Sequence, residues 1–451
     1  MGENMRLSLK TRPREVPSSV GIVHLGIGAF HRAHQAVYTE DAGDGWGICG
    51  ITQRSATVAE QLGPQDGLYS VLERGPGKPS ARVIGAVREV LTGDATVARL
   101  ADPAVKVISL TVTEKGYRHD PATGRLRRDD PEISLDLTGR PPRTVLGRLV
   151  RGLAARDAPV TVLCCDNLTA NGETLRALVE EYCERSGTRI GCEVTFPSTM
   201  VDRIVPATTP EDLDEAERLL GVRDEGVVVT EPFTQWVIED TFAAGRPAWD
   251  AAGAIFTDDV APYEKMKLRL LNGSHSMLAY LGSHHTYVAD AVAELGDTVR
   301  RYMDEDAGPT LAVPPGFDLE AYKTSLLERF ANPALRHRTA QIAMDGSQKL
   351  PQRLLSVVRD RLAAGAEPRW AALAVAAWMR HVKTARELDD PMADLLRMTV
   401  ARAETPGQVV DGLLSVTDVF GADLRESEVF RDLLVEHLGG LLARRPIESG
   451  S

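Results

Sequence analysis

Residues 21–35 read GIVHLGIGAFHRAHQ. An apolar, β-branched run leads to Gly26-Ile27-Gly28, and a helix-like segment follows from about His31. This order of strand, tight glycine turn and helix predicts the opening of a dinucleotide-binding βαβ unit, in which the two glycines let the backbone approach a pyrophosphate. His31 replaces the third glycine of G-x-G-x-x-G, so the fingerprint is incomplete and an ordinary glycine turn stays open as the alternative.

A second strand is predicted at Trp46–Thr52. The acidic residue that usually binds the ribose does not follow it; Gln53, Arg54 and Ser55 do. An arginine and a serine there suit a 2'-phosphate and favour NADP, whereas the alternative is a solvent-exposed loop arginine. A third strand-like run from Val105 ends in TEKGY, at the kind of strand end where such sheets build sites.

Strand and helix signals alternate up to about residue 255 and predict a doubly wound α/β domain. Another buried strand ends at Asp166-Asn167 and precedes a helix at about 171–186, whereas 121–143 is predicted to be a polar surface excursion. From residue 264 onward the pattern is helical. We therefore expect an α/β Rossmann-type N-terminal domain at 1–258 and a mostly α-helical C-terminal domain at 259–451.

The helical part opens with EKMKLRLLNGSH, residues 264–275. At about 100° per residue, its polar side chains share one face and its apolar side chains the opposite one. The polar set is Glu264, Lys267, Asn272 and His275. A lysine beside two neutral hydrogen-bonding groups suits proton transfer at an alcohol or carbonyl. The alternative is a solvated helix face with an incidental asparagine.

A second polar segment, residues 332–353, lies between predicted helices. It is dense in cations and carries Arg336, His337, Lys349 and Arg353. These residues are candidates for substrate binding, and helix caps and surface charges are the alternative.

Composition limits the possible partners. The 451 residues carry a net charge of -12, which argues against a nucleic-acid or anionic-membrane surface. Five scattered cysteines lack C-x-x-C spacing, and we find no signal peptide and no membrane span, so a soluble cytoplasmic protein is expected.

Metal and serine-nucleophile chemistry are not expected. H-E-x-x-H and G-x-S-x-G are absent from the sequence, and the cysteines are not at ligand spacing. The pairs His31/His34 and His284/His285 have no nearby carboxylate or thiolate partner in sequence, so we interpret them as helix-surface or core residues.

Several motifs together resemble the polyol-specific long-chain dehydrogenase/reductase family, the mannitol 2-dehydrogenase group. They are GIGAFHRAHQ at 26–35, TEKGY at 113–117, CDNLTANG at 165–172, MVDRI at 200–204, EPFTQWVIED at 231–240, the Lys-x4-Asn-x2-His segment at 267–275 and DGSQKLPQR at 345–353. The resemblance extends over nearly the whole chain, and seven motifs in the same order are more specific than any one of them.

The resemblance implies metal-independent hydride transfer between nicotinamide C4 and a carbon of a sugar alcohol or keto-sugar. Lys267 matches the general acid/base, which must lose its proton near neutral pH through desolvation or cationic neighbours. Asn272 and Asn167 match the pair that holds the reacting oxygen. His275 matches a substrate-orienting residue, and Glu264 a carboxylate that assists proton exchange.

The remaining assignments concern ligand contacts. The expected cofactor is NAD, with NADP as the alternative, and the candidate cofactor residues are Gly26, Gly28, Phe30, His31, Arg54, Glu114 and Lys115. The candidate substrate residues are Asp202, Arg336, His337, Lys349 and Arg353.

Three functions remain open. We favour oxidation of a polyol such as mannitol; the alternatives are reduction of a hexuronate (fructuronate or tagaturonate), whose carboxylate needs an extra cation, and a catalytically silent nucleotide-binding relative. The complete set of Lys267, Asn272, His275 and Asn167 argues against the silent relative. The resemblance also suggests a monomer.

Overall fold

The computed structural model describes residues 5–53, 55–120, 123–127 and 129–443. The chain forms two compact units, Met1–Ala261 and Pro262–Ser451. Among the described residues, none of the helices combines the length and apolar character needed to cross a membrane.

The first unit contains every described β-strand and the first eight α-helices. The strands are β1 (Ser19–Leu25), β2 (Trp46–Ile51), β3 (Tyr69–Glu73), β4 (Ser80–Ile84), β5 (Val87–Leu91), β6 (Val107–Leu110), β7 (His119–Asp120), β8 (Arg125–Leu126), β9 (Val160–Cys164), β10 (Val194–Thr195), β11 (Thr199–Asp202), β12 (Val228–Thr230), β13 (Gln235–Glu239) and β14 (Ile255–Thr257). The helices are α1 (Ala29–Ala33), α2 (Gln35–Ala42), α3 (Thr57–Leu62), α4 (Thr96–Ala101), α5 (Pro131–Asp136), α6 (Val145–Ala154), α7 (Asn171–Ser186) and α8 (Pro210–Leu220).

The main sheet has six strands in the order β10-β9-β6-β1-β2-β5, and every neighbouring pair is parallel. Read from β5, this is the strand order of the Rossmann fold, with its reversal point between β1 and β6. Both faces are covered: Val162 and Cys164 of β9 belong to one apolar cluster and Leu163 to the other. Burial on two faces explains why these strands read as continuous apolar runs, and the predicted α/β fold is confirmed.

The glycine turn after β1 has a clear steric cause. Gly26 has φ +94°, and a Cβ there would collide with the carbonyl oxygen of Thr111. The single helix predicted from His31 is wrong in detail, because the backbone departs from helical angles at His34 (φ -123°, ψ -89°) and separates α1 from α2.

The first unit also contains two three-stranded sheets, β11-β13-β14 and β12-β3-β4, and the short β7-β8 pair. The sequence pattern predicts no strand between residues 55 and 104, where β3, β4 and β5 lie. Within that segment, β5 forms the edge of the main sheet by pairing with β2.

The described part of the second unit consists of helices and connecting loops, with no β-strand. Its helices are α9 (Ala261–Met266), α10 (Gly273–Leu281), α11 (Val288–Arg301), α12 (Leu319–Phe330), α13 (Thr339–Ala343), α14 (Gly346–Leu350), α15 (Ser356–Ala363), α16 (Arg369–Thr384), α17 (Ala393–Val400), α18 (Pro406–Leu414), α19 (Thr417–Arg425) and α20 (Glu428–Ala443). The alanine-rich α16 packs against α10 and α20. This confirms the predicted mostly α-helical C-terminal part.

Three segments of the second unit are π-helical. They are Lys267–Asn272, Tyr302–Ala307 and Pro351–Leu355. The first joins α9 to α10 without a break, so the helical pattern predicted from residue 264 onward is continuous here but wider in its middle. Such segments are rare and often occur at functional sites.

Candidate active site

A cleft of about 600 Å³ opens in the first unit at the carboxyl ends of β1, β2 and β6. This is where open α/β sheets bind ligands, because the strand order reverses there. The cleft is lined by Gly26, Ile27, Gly28, Thr52, Gln53, Ser55, Val58, Thr111, Val112, Thr113, Gly116, Arg118, Glu132, Arg143, Thr144 and Val145.

No neighbouring atom among the described residues excludes a side chain at position 28, where the chain nevertheless has glycine. Its backbone is extended (φ -84°, ψ -171°), which any residue adopts. A Cβ there would come no closer than 3.8 Å to a protein atom, the carbonyl oxygen of Gly26. The space beside Gly28 therefore fits the close approach of a pyrophosphate.

A half-buried carboxylate, that of Asp166, holds two residues of the cleft lining. Asp166 accepts hydrogen bonds from the backbone N–H groups of Val112 and Thr113, each at 2.9 Å, and from the Tyr117 hydroxyl at 2.6 Å. Thr113 is held at φ 65° and ψ 156°, a conformation that costs a β-branched residue about 1–3 kcal/mol. Burial raises the pKa of Asp166, against the lowering effect of these three donors.

The predicted cofactor residues are distributed unevenly around this cleft. Gly26 and Gly28 line it, and the exposed Glu114 and Lys115 lie between two of its lining residues. Phe30 is half-buried, and its ring centroid lies 5.1 Å from that of His34. Arg54 lies outside the described residues.

His31 occupies a different environment from that expected of a residue at a ligand surface. It is fully buried, and its ring stacks on His24 of β1 with centroids 3.4 Å apart. Burial, and then the neighbouring His24, hold the pKa of His31 well below its ordinary value. The interpretation of His31 as a core residue therefore fits its position better than direct contact with a cofactor.

Sequence reasoning missed two cationic cleft residues, Arg118 and Arg143. Arg118 pairs with Asp130 and Glu132, and Arg143 closes the segment that was predicted to be a surface excursion. That interpretation is wrong in part, because Glu132 and Arg143 line the cleft. The composition of this segment indicates only that it is polar. Its position beside the cleft follows from the tertiary structure.

In the second unit, the π-helical segment changes the relation between Lys267 and Asn272. Its hydrogen bonds run from i to i+5, so two residues five positions apart lie about one turn apart. On a regular α-helix the same pair would be separated by about 140°. The π segment thus aligns the two polar groups that the sequence placed only loosely on one face.

This helix is also more buried than predicted. Lys267 is 9% exposed and His275 7% exposed, while Glu264 and Asn272 are half-buried. The alternative of a solvated face is therefore wrong. Lysine and histidine side chains are seldom buried this far on a helix, so the placement favours a functional role.

His275 lies in a ring cluster of the second unit. Its ring centroid lies 4.5 Å from that of Phe330 and 5.2 Å from that of His337, nearly perpendicular to the latter. Nε2 of His275 and Nδ1 of His337 are buried without a hydrogen-bond partner among the described residues. Burial, followed by the charges of His337, Arg353 and Arg329, holds the pKa of His275 well below its ordinary value. A neutral imidazole can exchange hydrogen bonds with hydroxyl groups.

The prediction of a polar loop at 332–353 is wrong in part, because Lys349 lies on α14 and Arg353 in the π-helical segment Pro351–Leu355. The cations of this segment that are predicted to bind substrate differ in their surroundings. Arg353 donates to Ser276 Oγ at 3.3 Å, next to His275 in sequence, and burial lowers its pKa. Lys349 donates instead to the backbone carbonyls of Met344 at 2.6 Å and Ile342 at 3.4 Å. Arg336 is exposed, with φ 46°.

Two predicted site residues belong to the first unit. Asn167 is exposed directly after β9, and Asp202 is buried at the end of β11. Asn171, from the same CDNLTANG motif as Asn167, has a structural role: it donates to Thr199 O at 2.8 Å and accepts from Thr199 N at 2.9 Å.

One reason given for expecting no metal, that the pair His284/His285 lacks a carboxylate partner, is wrong. Glu294 of α11 lies 2.9 Å from His284 Nε2 and 2.7 Å from His285 Nε2. The two histidines therefore have a carboxylate partner, because the chain turns back after α10 and brings α11 alongside.

Comparisons with known proteins cover both units. Residues 20–251 match the family model described as the mannitol dehydrogenase Rossmann domain, and residues 259–441 match the mannitol dehydrogenase C-terminal domain. The resemblance found in the sequence is thereby confirmed.

Individual relatives agree with the family models. The chain is 43% identical to a D-mannonate oxidoreductase of Escherichia coli, covering 91% of this chain and 90% of that protein. It is 37% identical to a mannitol 2-dehydrogenase of Pyrenophora tritici-repentis, covering 93% and 79%. Among solved structures, a Pseudomonas fluorescens mannitol 2-dehydrogenase in a ternary complex with NAD and D-mannitol matches with a TM-score of 0.81 and 35% identity, covering 97% of each chain.

Proposed function

This chain belongs to the mannitol dehydrogenase family, and on that premise we propose that it interconverts a sugar alcohol and its keto-sugar, with Lys267 as the residue that moves the proton. The chain is an NAD-dependent polyol oxidoreductase. The observation that carries the residue assignment is the burial of Lys267 and His275 on one continuous helix.

The cleft of the first unit is the proposed cofactor site. When bound, NAD accepts the hydride in the oxidative direction. The open space beside Gly28 and the polar ends of β1, β2 and β6 support this placement. Asp166 acts there as a positioning residue, because its hydrogen bonds hold the backbone of Val112 and Thr113 in the cleft wall.

The proton step uses the lysine as a base. In oxidation, the neutral Nζ of Lys267 takes the proton of the reacting hydroxyl while the carbon gives up its hydride and becomes a carbonyl carbon. Burial of Lys267 supplies the desolvation that a neutral amine requires. The amide group of Asn272 donates a hydrogen bond to the reacting oxygen, which stabilises developing alkoxide charge without competing for the proton. Asn167 stays a proposed site residue on the strength of its motif. Glu264, half-buried one turn earlier, is proposed to pass the proton to solvent.

The ring cluster of His275 and His337 is proposed to bind the remaining hydroxyls. Both imidazoles present a buried nitrogen without a partner among the described residues, and burial lowers the pKa of each. Neutral donors and acceptors suit an uncharged polyol. A hexuronate carboxylate needs cations, and of the three cations predicted to bind substrate only Arg353 bonds to the helix that carries His275. This supports a polyol over a hexuronate; Asp202, Arg336 and Lys349 stay proposed substrate contacts of lesser support.

We propose a cytoplasmic monomer. All five cysteines are free thiols, as in a reducing compartment. Size-exclusion chromatography with light scattering tests the assembly, and a mass of twice the 48.9 kDa chain would contradict it.

The function is tested by a substrate panel followed at 340 nm. Mannitol, arabinitol, fructose, fructuronate and tagaturonate are each assayed with NAD(H) and NADP(H). We expect turnover with a polyol and its ketose, and with NAD(H) in preference to NADP(H). Turnover confined to the uronates would replace the polyol assignment with the hexuronate one. Silence on every pair would favour the catalytically silent relative.

A further inference from the structure

Three side chains outside the proposed active site converge on one point of the second unit. Nε2 of His284 and Nε2 of His285 lie 2.9 Å and 2.7 Å from the same atom, Oε2 of Glu294. All three ligand atoms lie within 4.8 Å of one another. The two rings lie side by side, with centroids 4.1 Å apart.

A surface ion pair does not require this arrangement. One histidine satisfies a half-exposed carboxylate, and such pairs contribute about 0–1 kcal/mol to stability. A second imidazole aimed at the same oxygen adds little to an ion pair. It does add a second nitrogen ligand for a metal ion.

We propose that His284, His285 and Glu294 form a binding site for a divalent transition-metal ion, with Zn²⁺ as the best-suited ion. Zinc takes imidazole nitrogen and carboxylate oxygen at about 2.0–2.2 Å, which places its ligand atoms about 3.4 Å apart in a tetrahedron. The two nitrogen–oxygen distances, 2.9 Å and 2.7 Å, lengthen by about 0.5–0.7 Å to reach that spacing. Three protein ligands leave a fourth position for water, and two imidazoles disfavour Mg²⁺ and Ca²⁺, which select oxygen ligands.

The backbone around these ligands is already held in place. The turn that carries the histidines is tied to the start of α13, where Thr339 Oγ1 donates to the carbonyl of His285 at 2.6 Å. The N–H of Val288 donates to the carbonyl of His337 at 2.9 Å. Glu294 lies within α11, whose backbone is regular. Binding therefore requires the ordering of side chains only, which limits its entropic cost.

The expected role is structural. An ion at this site would fasten the turn after α10 to α11, and the same turn is bonded to the segment that carries His337. Hydride and proton transfer do not pass through these ligands. The inference stands independently of the proposed function.

The test uses tag-free, full-length protein treated with EDTA and then dialysed. Isothermal titration with Zn²⁺ alone, and Co²⁺ as a spectroscopic probe, measure stoichiometry, affinity and coordination. We expect one equivalent bound by wild type and a melting temperature raised by about 5 °C or more at a hundredfold excess over Kd. His284→Gln, His285→Gln and Glu294→Gln should each weaken binding by about tenfold or more.

His437→Gln is the matched control, because it removes a histidine of the same unit, on α20, that belongs to no such group among the residues that the structure describes. It should bind Zn²⁺ as wild type does. The proposal is overturned if wild type does not bind Zn²⁺ stoichiometrically. It is also overturned if the three ligand variants bind Zn²⁺ as tightly as wild type does. The wild-type titration and the Co²⁺ spectrum decide the matter even if a variant fails to fold.

Discussion

The imidazole rings of His24 and His31 stack at 3.4 Å between the first strand and the first helix. This is the position where the third glycine of the dinucleotide fingerprint normally permits close helix–strand packing. In this chain a ring pair fills the contact instead. His24 is anchored by Ser109 Oγ at 2.7 Å and by Thr111 Oγ1 at 2.8 Å.

The stacked pair should make the first unit sensitive to acid. Burial lowers the pKa of His24 from 6.5 to about 3 and that of His31 well below 6.5. At pH values between the lowered folded pKa of each histidine and 6.5, the unfolded chain binds a proton that the folded chain does not. The stabilising contribution is therefore complete above pH 6.5 and is lost as pH falls, by about 1.4 kcal/mol per pH unit for each histidine.

The variant His31→Phe keeps an aromatic ring in the stack but cannot be protonated. Urea unfolding of wild type and variant between pH 4 and pH 7 should give a shallower loss of stability for the variant on acidification. Parallel curves would show that His31 does not titrate in this way.

Gly28→Val should weaken NADH binding without unfolding the protein. The new side chain would occupy the proposed pyrophosphate space, and a Cβ at this position meets no protein atom closer than 3.8 Å. We expect a Kd for NADH, measured by fluorescence titration, that rises by about tenfold or more, equivalent to about 1.4 kcal/mol. Gly63→Ala is the control, since a Cβ at Gly63 also meets nothing within 4 Å and lies outside the cleft lining. Equal affinities for both variants would exclude Gly28 from the cofactor site.

Lys267→Ala should abolish turnover and spare the cofactor. Removal of the proposed base should lower kcat by about a hundredfold or more, with NADH affinity unchanged. Lys265→Ala is the matched control on the same helix, because Lys265 is half-buried and paired with Asp360 at 3.3 Å. If Lys267→Ala and Lys265→Ala had equal kcat values, in the oxidative or in the reductive direction, the assignment of Lys267 would be contradicted.

Asp306 should give the second unit the opposite pH dependence. Burial raises its pKa from 3.8 to about 6, although it accepts hydrogen bonds from the backbone N–H groups of Trp370 and Ala371, both at 2.7 Å. Because the folded pKa is raised, the contribution of this group is present below pH 3.8 and is lost as pH rises through 6.

Asp306→Asn keeps an acceptor for the two N–H groups and cannot ionise. Its stability relative to wild type, measured by urea unfolding, should therefore increase by about 2–3 kcal/mol between pH 4 and pH 7.5. If the difference in unfolding free energy between Asp306→Asn and wild type stayed constant across that pH range, the raised pKa of Asp306 would be refuted.

Local pattern predicted much of the framework. The apolar runs at β1, β2, β6 and β9 marked strands buried on two faces, and the helix predicted at 171–186 matches α7, Asn171–Ser186. These elements are readable because side-chain periodicity and glycine turns depend on neighbours in sequence. The strands β3, β4 and β5 are not predicted from the sequence, although β3 and β4 pair with each other as neighbours in the chain; β5 pairs with the more distant β2.

The candidate site was predictable in its residues but not in its environment. Lys267, Asn272 and His275 were named from spacing, yet a regular α-helix was assumed where the chain forms a π-helical segment. The burial of that helix, the ring contact of His275 with His337, and the anchoring of Thr113 by Asp166 depend on packing between distant segments. Periodicity carries no information about such packing.

By itself, the sequence determined an α/β Rossmann-type part followed by a helical part, and the motif set that marks the family, because these depend on residue order and local backbone preference. Only the tertiary structure decided that His31 is a core residue, that a polar insertion lines the cleft, and that Glu294 meets His284 and His285. Each of these results from burial and from contacts between residues far apart in sequence, which no local pattern encodes.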